Sequence, residues 1–175
     1  MTGVLLTEDL KWKKNTREIV KKAFARMSML TKLKYVGVCR QDLLEVYILF
    51  IRSLAEYCSV VWHSSLTEEL SNSLERVQKT CLKVILGDQY IGYQSALQMC
   101  NLKSLHDRRE DRCMNFAVRC LRHPLNYRLF PLNTDKHSLH EKSKEKFKVN
   151  FAKGGALKKS AIPYLQRRLN KEYGN

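Results

Sequence analysis

Basic side chains recur at helical spacing in three places along this chain of 175 residues: Lys14, Arg17, Lys21 and Lys32; Arg76, Lys79 and Lys83; and Arg108, Arg112 and Arg119. Steps of three, four and seven residues bring side chains onto one side of a helix. A row of cations on an exposed helical face can neutralise phosphates, a chemistry that is salt-sensitive and indifferent to base sequence. The same rows would also serve as solvated helix faces.

Residues suited to other chemistry are scattered. Asp9, Asp42, Asp88, Asp107, Asp111 and Asp135 include no adjacent pair, and their places in turns and helix starts fit capping and solvation. Six cysteines, at 39, 58, 81, 100, 113 and 120, form no C-x-x-C pair and no secretory signal precedes them, so they read as reduced and mostly buried thiols of an intracellular protein, nuclear or cytoplasmic. Cys113, Cys120 and His123 have gaps that match no zinc-finger spacing. His63, His106 and His123 have no carboxylate or cysteine at useful spacing and read as surface or boundary residues. No metal or cofactor is expected.

The net charge of +15, with an isoelectric point near 9.7, points to a polyanionic partner. Its distribution says more than its sum: residues 1–36 hold 9 basic and 3 acidic side chains, residues 37–131 hold 12 and 10, and residues 132–175 hold 11 and 4. A nearly neutral middle with two basic ends suits a folded helical unit that carries elements facing a polyanion. Charges interrupt the longest apolar stretch at Glu45, Arg52 and Glu56, so no membrane span and no membrane partner are expected.

The elements that must position these residues are mainly helical. Val4 to Leu6 reads as a short strand running into a turn. A helix over 14–35 sets Ile19, Val20, Ala23, Met27 and Leu30 against the first basic row, with Gly37 as its cap. A second helix, over 41–62, is apolar nearly all round through Leu43, Leu44, Tyr47, Leu49, Phe50, Ile51, Leu54, Tyr57, Cys58 and Val61, as the centre of a bundle would be. Thr67 followed by Glu68 and Glu69 starts a third helix that stops at Gly87, a short helix spans about 93–100, and Ser104 with Asp107 caps another that Pro124 ends. Trp12, Trp62 and Phe116 join the expected core.

The expected organisation is an antiparallel helical bundle over 14–131, preceded by the extended segment 1–13 and followed by a basic, partly disordered tail over 132–175. Phe147, Val149 and Phe151 alternate within the tail, and 160–170 is apolar enough to dock. Arg109 lies on the apolar side of its helix with Cys113 and Cys120, so its guanidinium needs a buried partner. Glu75 is the first candidate and Glu56 the second, in a structural pair clamping two helices.

Several blocks in order resemble one family. The stretches GVLLTEDLKW at 3–12, IRSLAEYCSVVWHSSLT at 51–67, LERVQKTCLKVILG at 74–87, YIGYQSAL at 90–97, LKSLHDRRE at 102–110 and SAIPYLQRRLN at 160–170 are similar to the thumb and C-terminal region of non-LTR retrotransposon reverse transcriptases of the jockey and CR1 kind. The resemblance covers almost the whole chain and implies a start inside the primer-grip strand, beyond the palm. In that family two magnesium ions about 4 Å apart are held by a palm aspartate and an aspartate pair. This chain carries neither, so the resemblance implies a non-catalytic thumb that binds RNA or an RNA–DNA hybrid weakly through its basic rows, with the palm of a full-length polymerase as a further partner. The alternatives are a helical protein-interaction module and an inert retroelement relic. The oligomeric state is open.

Overall fold

A computed structural model describes residues 3–8, 11–133, 146–150 and 153–173. Asp9, Asp135, most of the charged stretch after residue 133, and Phe151 lie outside the described residues.

The described chain is mainly helical. The principal helices are α1 (Lys13–Tyr35), α2 (Arg40–Val46), α3 (Ser53–Glu56), α4 (Ser59–Trp62), α5 (Glu68–Leu86), α6 (Tyr93–Met99), α7 (Leu105–Arg122), α8 (Gly155–Lys158) and α9 (Ala161–Tyr173). Among the described residues the one extended pairing is an antiparallel bridge between Leu132 and Phe147, and the expected strand at residues 4–6 has no ladder partner. No helix there is long and apolar enough to cross a membrane.

Local sequence explains three of the helix ends. Gly37, at a φ of 83°, closes α1: its N–H bonds to Lys34 O and that of Val38 to Leu33 O, the paired bonds of a Schellman cap. The Thr67 hydroxyl accepts the N–H of Leu70 at the start of α5, with Glu68 and Glu69 in the first turn where the helix dipole favours negative charge. Ser104 Oγ accepts the N–H of Asp107 at 3.0 Å, the expected cap of α7.

The chain divides into two units. The first holds residues 1–59 and 66–109, and the second holds 60–65 and 110–175. Thus the boundary falls inside α7, not at residue 131 where the change of composition suggested it. A helix's hydrogen-bonded backbone continues through such a point, so nothing in residue type along α7 marks where its packing partners change.

In the first unit α1 packs against α5 and against the α2–α3 segment. Ala23 and Leu30 of α1 share a core with Leu43, Tyr47 and Ile51 and with Val77, Leu82 and Ile85 of α5. Each large apolar side chain so buried contributes about 2 kcal/mol. The second helix departs from the expectation of burial all round: Leu49 is 65 % exposed, and Phe50, Tyr57 and Cys58 are exposed as well. Residues 47–52 form a π-helical turn between α2 and α3. The chain then breaks at Cys58, where φ is 50°. Arg26 donates to the carbonyl of Phe50 within that turn, satisfying a group that widened helical bonding leaves poorly paired.

The second unit has its own core of Cys113, Ala117, Cys120, Phe130, Phe147, Leu165 and Leu169. Segment 160–170, the part of the tail apolar enough to dock, forms most of α9 and supplies Leu165 and Leu169 to this core. Trp62, a residue of this unit, is fully buried in the chain, whereas Phe116, placed in the core from sequence, is exposed.

Candidate nucleic-acid interface

The first basic row is intact. Lys14, Arg17, Lys21 and Lys32 are all exposed on α1, because Ala23 and Leu30 turn the opposite side of the helix into the core. Lys14 and Arg17 also line an open concavity with Thr7, Lys11, Lys13 and Glu18. The sequence-predicted row lacks Lys11, which precedes α1, and Lys13, the first residue of α1.

The second row gains a feature that spacing could not reveal. Arg76, Lys79 and Lys83 are exposed on α5, and beyond Glu75 no acidic side chain interrupts the helix. Lys79 Nζ sits 5.0 Å from the ring centroid of Tyr93, and Lys83 Nζ 5.4 Å from that of Tyr90. A cation above an aromatic face is held by the ring quadrupole, at about 0.5–1 kcal/mol when exposed. The lysines are therefore oriented without being neutralised, and charge stays available to an anion.

Tyr93 is anchored from beneath. Its hydroxyl donates to Glu75 Oε1 and accepts from Gln78 Nε2 at 3.0 Å; Gln78 in turn accepts the Tyr47 hydroxyl at 2.6 Å. Burial, and then the bond to Glu75, hold the Tyr93 phenol above its ordinary range, so it remains a neutral donor.

Glu75 is structural as expected, but its partner differs. Its carboxylate accepts the backbone N–H of Leu105 at 3.0 Å and of His106 at 3.2 Å, besides the Tyr93 hydroxyl, and so seals the amino end of α7. Arg109 is fully buried, as its place on the apolar side implied, and donates from Nη2 to Ser71 Oγ at 3.0 Å. The orphan N–H groups and positive dipole end of α7 compete for the Glu75 carboxylate and win it, an outcome invisible in a count of opposite charges.

The third row does not survive as a surface. Arg108 points inward and grips Glu56, whose side chain is only 3 % exposed, through Nε and through Nη2 at 3.1 Å. Glu56, the second candidate for Arg109, takes Arg108 on its carboxylate, with Arg52 Nε 3.8 Å away. Arg112 and Arg119 are exposed but belong to the second unit, whereas Arg108 belongs to the first.

The second unit holds a polar cluster that sequence spacing missed. Glu110 accepts from His63 Nε2 at 2.9 Å and from the Tyr164 hydroxyl, and Arg168 Nη2 lies 3.3 Å from its other oxygen. His63 is buried rather than superficial, edge-on to Tyr164. The hydrogen bond from His63, helped by those from Tyr164 and the Arg168 charge against the cost of burial, holds the Glu110 carboxyl down to about 2. Burial and the bond to Glu110 push the Tyr164 phenol up. Nearby, Ser64 and Ser65 both donate to Lys159 O, so the 63–65 turn is fastened to the end of α8. Separations of 47 and 54 residues left no local trace of the cluster.

Cys113 and Cys120 lie in the apolar core, and His123 Nδ1 accepts the N–H groups of Leu125 and Asn126, closing the end of α7. Asp42, Asp88, Asp107 and Asp111 are all exposed. Compared with known proteins, the chain matches no family model, no curated protein and no solved structure.

Proposed function

We propose that the chain is a non-catalytic module that binds RNA or an RNA–DNA hybrid through phosphate contacts, as the resemblance to a reverse-transcriptase thumb implies. The observation that carries this reading is the row Arg76, Lys79 and Lys83, exposed on one face of α5 with two of its cations set over Tyr93 and Tyr90. Cations fixed along a rigid helix suit a regularly spaced polyanion, and the first row on α1 adds a second stretch of the same kind. The pattern carries no base-reading group, so binding is sequence-independent and weak.

Fluorescence anisotropy of a labelled RNA–DNA hybrid tests it. The hybrid binds at about 50 mM salt and is released progressively toward about 200 mM, as counterion release loses its driving force. Absence of binding at the lower salt, or affinity indifferent to salt, overturns the reading. In that event the exposed apolar side chains Leu49, Phe50 and Tyr57 favour the second reading, a helical protein-interaction module.

A further inference from the structure

We infer that Tyr35, at the carboxy end of the α1 basic row, stacks against an unpaired base, so that the chain prefers a hybrid carrying a single-stranded overhang to a blunt duplex. This deepens the nucleic-acid reading and rests on it.

Tyr35 is the last residue of α1 and is 91 % exposed, the most of any large apolar side chain among the described residues. Val36 beside it is 72 % exposed. At about 100° per residue Tyr35 lies on the bearing of Arg17, about five turns further on, and within about 60° of Lys21 and Lys32. The ring therefore continues the first basic row and stands away from the face that Ala23 and Leu30 bury. Beyond Glu18, near the other end, α1 carries no acid that would repel a strand.

The helix end that carries the ring is rigid. The N–H of Val36 bonds to Lys32 O at 3.1 Å, and those of Gly37 and Val38 complete the cap. Lys34 Nζ donates to Ile85 O at 3.0 Å, which ties the last turn to α5, and Leu33 and Val38 pack against the first core on either side of Tyr35. A ring so supported loses little freedom when a second flat surface covers it.

Lys32 and Tyr35 stand less than one turn apart, about 4.5 Å along the axis. A nucleotide meets both at short range, with a phosphate for the cation and a flat base for the ring. Inside a duplex each base face is covered by its neighbour, so an unpaired nucleotide is what offers one. Stacking accepts any base, and binding stays sequence-independent. A membrane surface would also take cations beside apolar side chains, but it needs a broad apolar helix face. Here the rest of the stripe is charged or small, with Ala25 and Ser28 between Lys21 and Lys32.

Fluorescence anisotropy of the full chain at about 50 mM salt compares three ligands: a blunt RNA–DNA hybrid, the same hybrid with an overhang of about ten nucleotides, and one whose overhang is abasic, keeping the phosphates without the bases. The normal overhang is expected to bind about five- to a hundredfold tighter than the abasic one. Tyr35→Ala abolishes that preference and Tyr35→Phe keeps it. Because the ring is exposed, the alanine variant is expected to hold its fold, checked by circular dichroism. Equal binding of normal and abasic overhangs, or a preference that survives Tyr35→Ala, overturns the inference while the nucleic-acid reading stands. Failure to bind any of the three sinks that reading, and the inference with it. In that event, Tyr35-dependent binding to phosphatidylcholine vesicles with about one-third phosphatidylserine assigns the row to a membrane surface instead.

Discussion

Glu75 accepts the backbone N–H of Leu105 at 3.0 Å, across 30 residues of sequence, and the same carboxylate takes the hydroxyl of Tyr93. One acid thus links α5, the first turn of α7 and the tyrosine under Lys79. Replacing Glu75 with Ala leaves N–H groups and a phenol buried without their acceptor, at a cost of about 2–4 kcal/mol. Urea denaturation should report that loss in Glu75→Ala and a smaller one in Glu75→Gln, which keeps an acceptor oxygen. A change below about 0.5 kcal/mol in the alanine variant would contradict the assigned role.

Lys79→Glu with Lys83→Glu should weaken hybrid binding and reduce the slope of log affinity against log salt by about 2, one for each lost phosphate contact. Their exposure predicts little effect on melting temperature. An unchanged slope would remove α5 from the binding surface.

Arg108 is a structural cation, unlike the exposed Arg112 and Arg119 of the same helix. Removing it leaves Glu56 buried without its bidentate partner, so Arg108→Ala should cost about 2–4 kcal/mol of stability. Arg112→Ala and Arg119→Ala, at exposed positions, should each stay within about 0.5 kcal/mol. A double-mutant cycle between Arg108 and Glu56 checks the pair, with a coupling near zero as the contrary result.

Acid should loosen the second unit through Glu110. Its carboxyl lies near 2 in the fold against an ordinary 4.5, so its contribution to stability is complete above the higher value and disappears as pH falls from 4.5 toward 2. Because Glu110 is partly exposed, that contribution is of order 2 kcal/mol at neutral pH. Glu110→Gln should therefore be less stable than the parent chain at pH 7 and equal to it near pH 2. Parallel stability curves for the two proteins across this window would refute the linkage.

The cysteines should divide by burial. Cys39 and Cys58 are exposed, while Cys81, Cys100, Cys113 and Cys120 are buried, and burial pushes the Cys81 thiol up to about 12. A thiol-specific chromogenic reagent should titrate two groups quickly in the native protein and the other four only after denaturant, since reaction needs an accessible thiolate. More than two fast groups would mean that a core is open.

Local rules made much of the fold legible. Periodicity separated Ala23 and Leu30 from Lys14, Arg17 and Lys21 on α1, and Thr67, Gly37 and Ser104 mark helix ends through bonds within a few residues of themselves. Composition did not locate the division within α7, and it placed α9 in a tail while marking 160–170 as apolar enough to dock. Amphipathic spacing reports that a face is buried but not against what.

Sequence by itself determined the helical class, the exposure of the α1 and α5 cations and the burial of Arg109, because each follows from periodicity over one or two turns. Only the tertiary structure decided that Arg108 goes to Glu56, that Glu75 seals α7, that Tyr90 and Tyr93 lie beneath Lys83 and Lys79, and that His63 meets Glu110. Those choices depend on which groups packing brings within hydrogen-bonding reach and which must be satisfied once water is excluded. Several acids and bases compete for each such place, and the winner is set by geometry across tens of residues, which no local pattern records.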